Sequence, residues 1–282
     1  MVTREKAKYE LVQDVTKGDL VSAYVVAPFD KGLEVLQEGD YRLISSQENS
    51  RLRIQEGYQA YISQMGNWVS EDAIYVPNKG KFLTKVSHIA RNAREATQAH
   101  RNGEDFYLNE NQVEECLADC VELTSESVPT NRFGENEITI YAFGEHTEDY
   151  GKLLREYGIK EMPVWLAGIR DKPFARKVWF VRLGDNYRSD LHCGIRVLYG
   201  DDDRVRGVRH NSGEAANFCE HSDEEKRAGI REAQKISAGE KTVPYTRKNI
   251  NSYLDIVHGV RKGNLPNSKL EELIEFLEKL KQ

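Results

Sequence analysis

Short apolar runs predict strands in the first third of the chain. Segments 20–27 and 41–46 are rich in β-branched and aromatic residues, which favour strands. Two further β-rich runs, 73–77 and 81–85, are separated by three residues that include Gly80. This spacing predicts a β-hairpin.

Apolar residues at three- and four-residue steps predict helices between and after these strands. The predicted helices cover 49–64 and 87–100, and a third begins at Asn109. Asn109 is followed three residues later by Gln112, which is close to a capping box. The apolar stripe of this helix is predicted to comprise Val113, Cys116, Leu117, Cys120 and Val121.

The polar segment 123–137 contains Pro129 and Gly134 and is predicted to be a long loop or a domain boundary. A strand over 138–143 and a helix over 145–157, ended by Gly158, are predicted to follow. Four β-like runs with turn-like joins then predict an antiparallel meander. These runs are 163–169, 174–183, 194–199 and 204–209.

The last quarter of the chain is predicted to be helical, and its final helix carries a leucine stripe that begins at Leu270. The predicted fold class is therefore α+β, with a mixed N-terminal segment, a central antiparallel sheet and a helical C-terminal section. The predicted domains are an α/β-type region over 1–125 and a second region over 126–282.

Composition places the chain among globular proteins. Of its 282 residues, 39% are hydrophobic and 30% are charged, which is too apolar for a disordered chain. The N-terminus alternates charges without an apolar run behind it, and no stretch approaches the roughly 20 apolar residues of a membrane-spanning helix. With four cysteines, reduced thiols are expected. We therefore expect a soluble, cytoplasmic protein without a membrane partner.

Charge is distributed unevenly, and the most acidic part of the chain is a candidate interaction region. Segment 102–151 holds thirteen acidic side chains and one basic one, Arg132. The acidic segment, or the C-terminal helix, could contact a protein partner. A packed acidic region that offsets a neighbouring basic one is the simpler interpretation.

The predicted meander is rich in arginine with interleaved aromatic residues. Arginine binds phosphates bidentately, and exposed aromatic rings stack on unpaired bases. The sequence therefore suggests nucleic-acid binding, to RNA rather than duplex DNA, although an ordinary sheet with arginines on its solvent face explains the same pattern. The candidate contacts are Arg176, Arg182, Arg196, Arg204, Arg206, Arg209, Trp179 and Tyr199.

Five aspartates around the predicted turns suggest an alternative, a metal-dependent hydrolase. Hard divalent cations prefer oxygen ligands, and two such ions can support hydrolysis. The candidate ligands are Asp185, Asp190, Asp201, Asp202 and Asp203. The run 199–202 resembles the carboxylate hairpin of RNA-dependent polymerases over four residues only, and we interpret it as a tight turn.

Cysteines and histidines supply a further possible metal set or a nucleophile with a base. Cys116 and Cys120 lie on one helical face, and Cys193 and Cys219 each have a histidine nearby in sequence. Common nucleotide, zinc-protease and hydrolase motifs are absent from the sequence. No cofactor is assigned, and it stays open whether the protein is an enzyme. A non-catalytic protein-interaction role is the remaining alternative.

Overall fold

The structure is a computed structural model that describes residues 9–124, 127–184, 187–194 and 197–210. The chain divides into two units, Met1–Asn211 and Ser212–Gln282, and every described residue belongs to the first. The predicted C-terminal helices lie outside the described residues. Within the described residues, no helix is both long and apolar enough to cross a membrane.

Helices make up much of the described chain. Two 3-10 helices, Thr130–Glu135 and Gly144–His146, accompany the α-helices. The α-helices are α1 (Phe29–Glu38), α2 (Ser46–Glu56), α3 (Tyr61–Gln64), α4 (His88–Arg91), α5 (Ala93–Arg101), α6 (Glu110–Ala118), α7 (Glu137–Phe143) and α8 (Thr147–Glu156).

Strands lie before, between and after these helices. The strands are β1 (Val12–Val15), β2 (Leu20–Val26), β3 (Arg42–Leu43), β4 (Asn67–Val76), β5 (Gly80–Thr84), β6 (Phe106–Tyr107), β7 (Cys120–Glu122), β8 (Ser127–Pro129), β9 (Glu161–Trp165), β10 (Phe174–Phe180), β11 (Leu183–Gly184), β12 (Tyr187–Arg188), β13 (Leu191–His192) and β14 (Arg204–His210).

One large mixed sheet organises the described residues, in the order β1-β2-β14-β4-β10-β13-β9-β8. Strand β14 pairs antiparallel with β2 and parallel with β4, while β9 pairs parallel with β13. The expected antiparallel meander is therefore wrong. Because β10 and β14 pair with β4 and β2, this sheet includes strands from both sides of residue 125.

Helices cover both faces of the sheet. Side chains along β4 alternate between two hydrophobic clusters, since successive residues of a strand point to opposite faces. The first cluster takes Val69, Ala73 and Tyr75 and also contains residues of α2, α7 and α8. The second takes Trp68, Ile74 and Val76 and contains residues of α1, α4, α5 and α6. The α+β class is confirmed.

Several local predictions are confirmed because nearby residues determine them. The β4–β5 hairpin turns through Asn78, whose φ is 62°, with Val76 opposite Gly80. Asn109 forms the expected capping box with Gln112. Gly158 follows α8 with a φ of 74°, a conformation that favours glycine.

Other segments adopt a different element from the predicted one. Residues 138–143 lie in helix α7 rather than a strand, because Asn136 accepts from the first backbone N–H groups and Phe143 packs in the first cluster. Helix α6 ends at Ala118, and Cys120–Glu122 pairs with β5 instead. Here tertiary pairing outweighs local propensity.

Two predicted helices are each divided into two shorter helices. One predicted strand, 194–199, does not form in the part of it that the structure describes. The 49–64 segment contains α2 and α3, separated at Gly57, and the 87–100 segment contains α4 and α5, which meet at Asn92. Residues 197–199 belong to a turn region rather than to a strand.

Candidate binding surface

Arg206, a predicted nucleic-acid contact, is fully buried in the sheet. Its Nη1 donates to both carboxylate oxygens of Asp14, at 2.7 Å each, and to Ser22 Oγ at 2.7 Å. Burial lowers the pKa of Arg206, and the Asp14 carboxylate opposes this shift. A buried guanidinium that is already paired cannot reach a phosphate on the surface.

Arg176 and Trp179, on β10, are also turned away from solvent. Arg176 forms an ion pair with the buried Asp105, and its other Nη lies 3.3 Å from His100 Nε2. Trp179 is 4% exposed and packs edge-on against Trp68 at 5.0 Å between ring centroids. Both side chains therefore contribute to the interior rather than to a nucleic-acid surface.

The remaining predicted contacts differ in their partners and in their exposure. Arg204 donates from Nε to the Tyr61 hydroxyl at 3.0 Å, whereas Arg209 is exposed beside the Tyr41 ring. Arg182 is partly buried, and Tyr199 is 39% exposed. Arg196 lies outside the described residues. The described members of the predicted set that keep some solvent exposure are Arg182, Arg204, Arg209 and Tyr199.

The aspartate set does not gather around a cation position in the described part of the chain. Asp190 accepts a hydrogen bond from a tryptophan, Asp203 is buried, and Asp201 and Asp202 are exposed. Among the described residues, no group of three or more His, Cys, Asp or Glu could hold a metal ion. Asp185 lies outside them.

Two of the described cysteines, Cys116 and Cys193, have the properties of core residues, whereas Cys120 is half-buried at the start of β7. Cys116 and Cys193 are buried, and burial raises the pKa of each thiol to about 12. A thiol with a raised pKa is a poor nucleophile and a poor metal ligand at neutral pH. Cys219 and His221 of the predicted set lie outside the described residues.

The acidic side chains of segment 102–151 are largely exposed where they are described. Asp105 is the buried exception. Exposed carboxylates lie before α6, along α6, α7 and α8 and in the connections between them, so they do not belong to one element. The exposed members are Glu104, Glu110, Glu114, Glu115, Asp119, Glu122, Glu135, Glu137, Glu145, Glu148 and Asp149.

Trp165, at the end of β9, combines exposure with a fixed orientation. Its side chain is 50% exposed, yet its Nε1 donates to Asp190 Oδ2 at 2.9 Å. The ring also lies 5.8 Å from the His192 ring, and Cys193 N donates to Trp165 O at 2.8 Å. An aromatic ring that is both presented to solvent and oriented is well suited to binding.

The chain after Trp165 forms an excursion that returns to the sheet at β10 beside β6. Ile169 is 43% exposed and Tyr107 is 50% exposed, and these two residues line a cleft of about 380 Å³ with Arg170, Asp171 and Lys172. Lys172 Nζ lies 5.8 Å from the Tyr107 ring centroid. We name the cleft residues Tyr107, Ile169, Arg170 and Lys172, together with Trp165 four positions before Ile169 in the chain, the loop surface.

A buried polar network supports the loop surface from below. Asp105 binds Arg170 Nε at 3.2 Å on one side and Arg176 on the other. His100, next to Arg176, accepts from Leu198 N at 3.3 Å. Burial, together with the charge of Arg176, lowers the pKa of His100 to about 4. Arg170, Asp105 and Arg176 are thus joined by ion pairs, and the neutral His100 contacts Arg176 and accepts a hydrogen bond from Leu198 N.

Most of the loop surface was missed from the sequence because none of its residues follows a known motif. Trp165 and Arg170 belong to the arginine and aromatic pattern, but the pattern does not show which of its members are exposed. The turn-like run 170–173 was the one local signal, since binding residues concentrate on loops that a rigid scaffold positions.

Comparison with known proteins identifies the fold alone. No family model matches the chain, and no curated protein matches it. A solved structure that is similar comes from work on the accommodation of massive sequence variation in Nanoarchaeota by the C-type lectin fold. It covers 73% of this chain and 100% of its own, with a TM-score of 0.50 and 16% identity. The likeness therefore concerns the C-type lectin fold and no activity.

Proposed function

We propose that this protein is a non-catalytic binding protein that recognises a protein partner through the loop surface. The observation that carries the proposal is the half-exposed Trp165, which Asp190 holds in one orientation through a 2.9 Å hydrogen bond. Tryptophan, tyrosine and arginine are the residues that contribute most to protein interfaces, and the loop surface contains all three.

The charges of the loop surface favour a protein over a nucleic acid. Arg170 and Lys172 flank Asp171, and Asp190 lies beside Trp165. Nucleic-acid sites are marked by a cluster of positive charge that neutralises phosphates. A surface of mixed charge with exposed aromatic residues matches the composition of protein interfaces.

The fold neighbour suggests a scaffold with variable loops. The work on the similar structure concerns the accommodation of massive sequence variation by the C-type lectin fold. In a scaffold of that kind, exposed loop residues can differ with the partner while the buried sheet stays constant.

A partner-capture experiment with matched variants tests the proposal. The full chain is immobilised and incubated with an extract of cells of its source organism. Captured proteins and captured RNA are then quantified at low and at high salt. Trp165→Ala and Tyr107→Ala together should abolish capture of one specific protein. Tyr157→Ala is the control, because Tyr157 is 42% exposed but belongs to the end of α8, where it stacks on Tyr58.

The same experiment tests the RNA interpretation. Nucleic-acid recognition would be favoured instead if RNA were captured and two conditions held. High salt would have to remove the RNA, and the Arg204→Gln and Arg209→Gln variants would have to lose its binding. Protein capture that survives the loop-surface double variant would contradict the proposed site.

A further inference from the structure

The hydroxyl of Tyr75 bonds to two separate segments beneath the loop surface. Tyr75 lies on β4 and is fully buried. Its hydroxyl donates to Cys193 O at 2.6 Å and accepts from Ala167 N at 3.1 Å. One hydroxyl therefore joins the excursion that follows Trp165 to the segment that follows β13.

The ring of Tyr75 is itself rigidly placed, so the hydroxyl is a fixed point. The ring stacks on Phe174 with 4.6 Å between centroids and 8° between planes. Burial raises the pKa of the Tyr75 hydroxyl, which stays protonated and keeps its donor. A phenol has one donor, and here that donor and one acceptor position are both used.

Gly194 brings the same two segments into unusually close approach. A Cβ at position 194 would lie 2.4 Å from Ala167 N and 2.7 Å from Leu166 C, both backbone atoms. Backbone atoms cannot move aside as a flexible side chain can. The junction thus depends on a hydroxyl that bonds both segments and on a glycine that leaves room for their contact.

We infer that Tyr75 is a positioning residue of the loop surface, whose hydroxyl fixes the excursion after Trp165 against the segment after β13. The biological meaning of this inference rests on the proposed function, because an ordered surface binds without the cost of ordering its loops. The junction itself is a property of the free protein and can be measured without a partner.

Amide hydrogen exchange, measured by NMR on the full chain, tests the inference. In Tyr75→Phe the ring and its stacking on Phe174 are retained, while Ala167 N loses its acceptor. We expect the exchange rate at Ala167 to rise at least about tenfold relative to the amides of β4 and β10. The Cys193 amide, which keeps its bond to Trp165 O, should change less.

Two further variants separate local loosening from a general loss of stability. Tyr41→Phe removes another buried hydroxyl, the one that accepts from Gln13 Nε2 at 2.7 Å, and should leave exchange at Ala167 unchanged. Gly194→Ala should raise exchange at Ala167 by a different route, because its new methyl group meets the backbone of the excursion.

The outcomes distinguish this inference from the proposed function. Unchanged protection at Ala167 in Tyr75→Phe, or an equal rise at every amide of β4 and β10, would overturn the positioning role. A different result would be faster exchange at Ala167 in Tyr75→Phe together with partner capture that is unchanged by Trp165→Ala and Tyr107→Ala. That result would support the junction and reject the loop surface as the binding site.

Discussion

Arg206 donates two hydrogen bonds of 2.7 Å to the carboxylate of Asp14, a residue 192 positions earlier in the chain. The guanidinium is fully buried, so the pair joins β1 to β14 across β2 inside the protein. The residue that sequence alternation places on a solvent face is thus part of the folding core.

Replacing Arg206 should reduce stability rather than binding. Arg206→Gln leaves Asp14 without its cation and should lower the free energy of unfolding by about 3 kcal/mol in urea denaturation. The control is Arg209→Gln, at an exposed arginine of the same strand, for which a loss below about 1 kcal/mol is expected. Equal stability of the two variants would contradict the structural role of Arg206.

Asp190 should determine the environment of the Trp165 indole. The chain has three tryptophans, so an NMR spectrum shows three indole N–H signals, and Trp165→Phe identifies one of them. In Asp190→Ala that signal should shift and exchange faster with water, because its acceptor is lost. The signals of the buried Trp68 and Trp179 should hold their positions. A Trp165 signal that does not respond would show that the hydrogen bond is absent in solution.

Stability should fall with acidity partly through His100. Its pKa is lowered from 6.5 to about 4 by burial and by the neighbouring Arg176, with Asp105 acting in the opposite direction. The unfolded chain therefore takes up this proton near pH 6.5, before the folded protein does. The contribution of His100 to the free energy of unfolding is complete above pH 6.5 and is lost as the pH falls towards 4. Below pH 4 this residue causes no further change. The total loss is on the order of 3 kcal/mol.

Comparison with His100→Asn isolates this contribution from carboxylate titration. The asparagine oxygen can take the place of His100 Nδ1 and accept from Leu198 N, but it does not titrate. Between pH 6.5 and 4, unfolding free energies should decline more steeply for the wild type than for the variant. Parallel pH curves would mean that His100 titrates alike in the folded and unfolded states.

Cys116 and Cys193 should resist alkylation until the protein unfolds. Both thiols are buried with pKa values raised to about 12, so neither is a thiolate at pH 8. Iodoacetamide followed by peptide mass spectrometry should modify both in urea and neither under native conditions. Rapid native modification of Cys193 would revive the nucleophile hypothesis for that residue.

Features set by near neighbours in the chain could be predicted from the sequence. The hairpin around Asn78 and the capping box at Asn109 depend on residues within a few positions. The α+β class likewise follows from periodicity that is local to each element. Helix α7 was mispredicted because its β-branched residues favour a strand locally, whereas Asn136 and the packing of Phe143 favour the helix.

Burial of individual polar and aromatic residues was decided only by the tertiary structure. Arg204 and Arg206 alternate with Val205 along β14, which locally indicates one polar and one apolar face. Helices cover both faces of this sheet, so Arg206 is buried against Asp14, while Trp165 is exposed and oriented by Asp190. Alternation along the chain reports which residues share a face. The elements that cover each face come from distant parts of the chain, and no local pattern contains them.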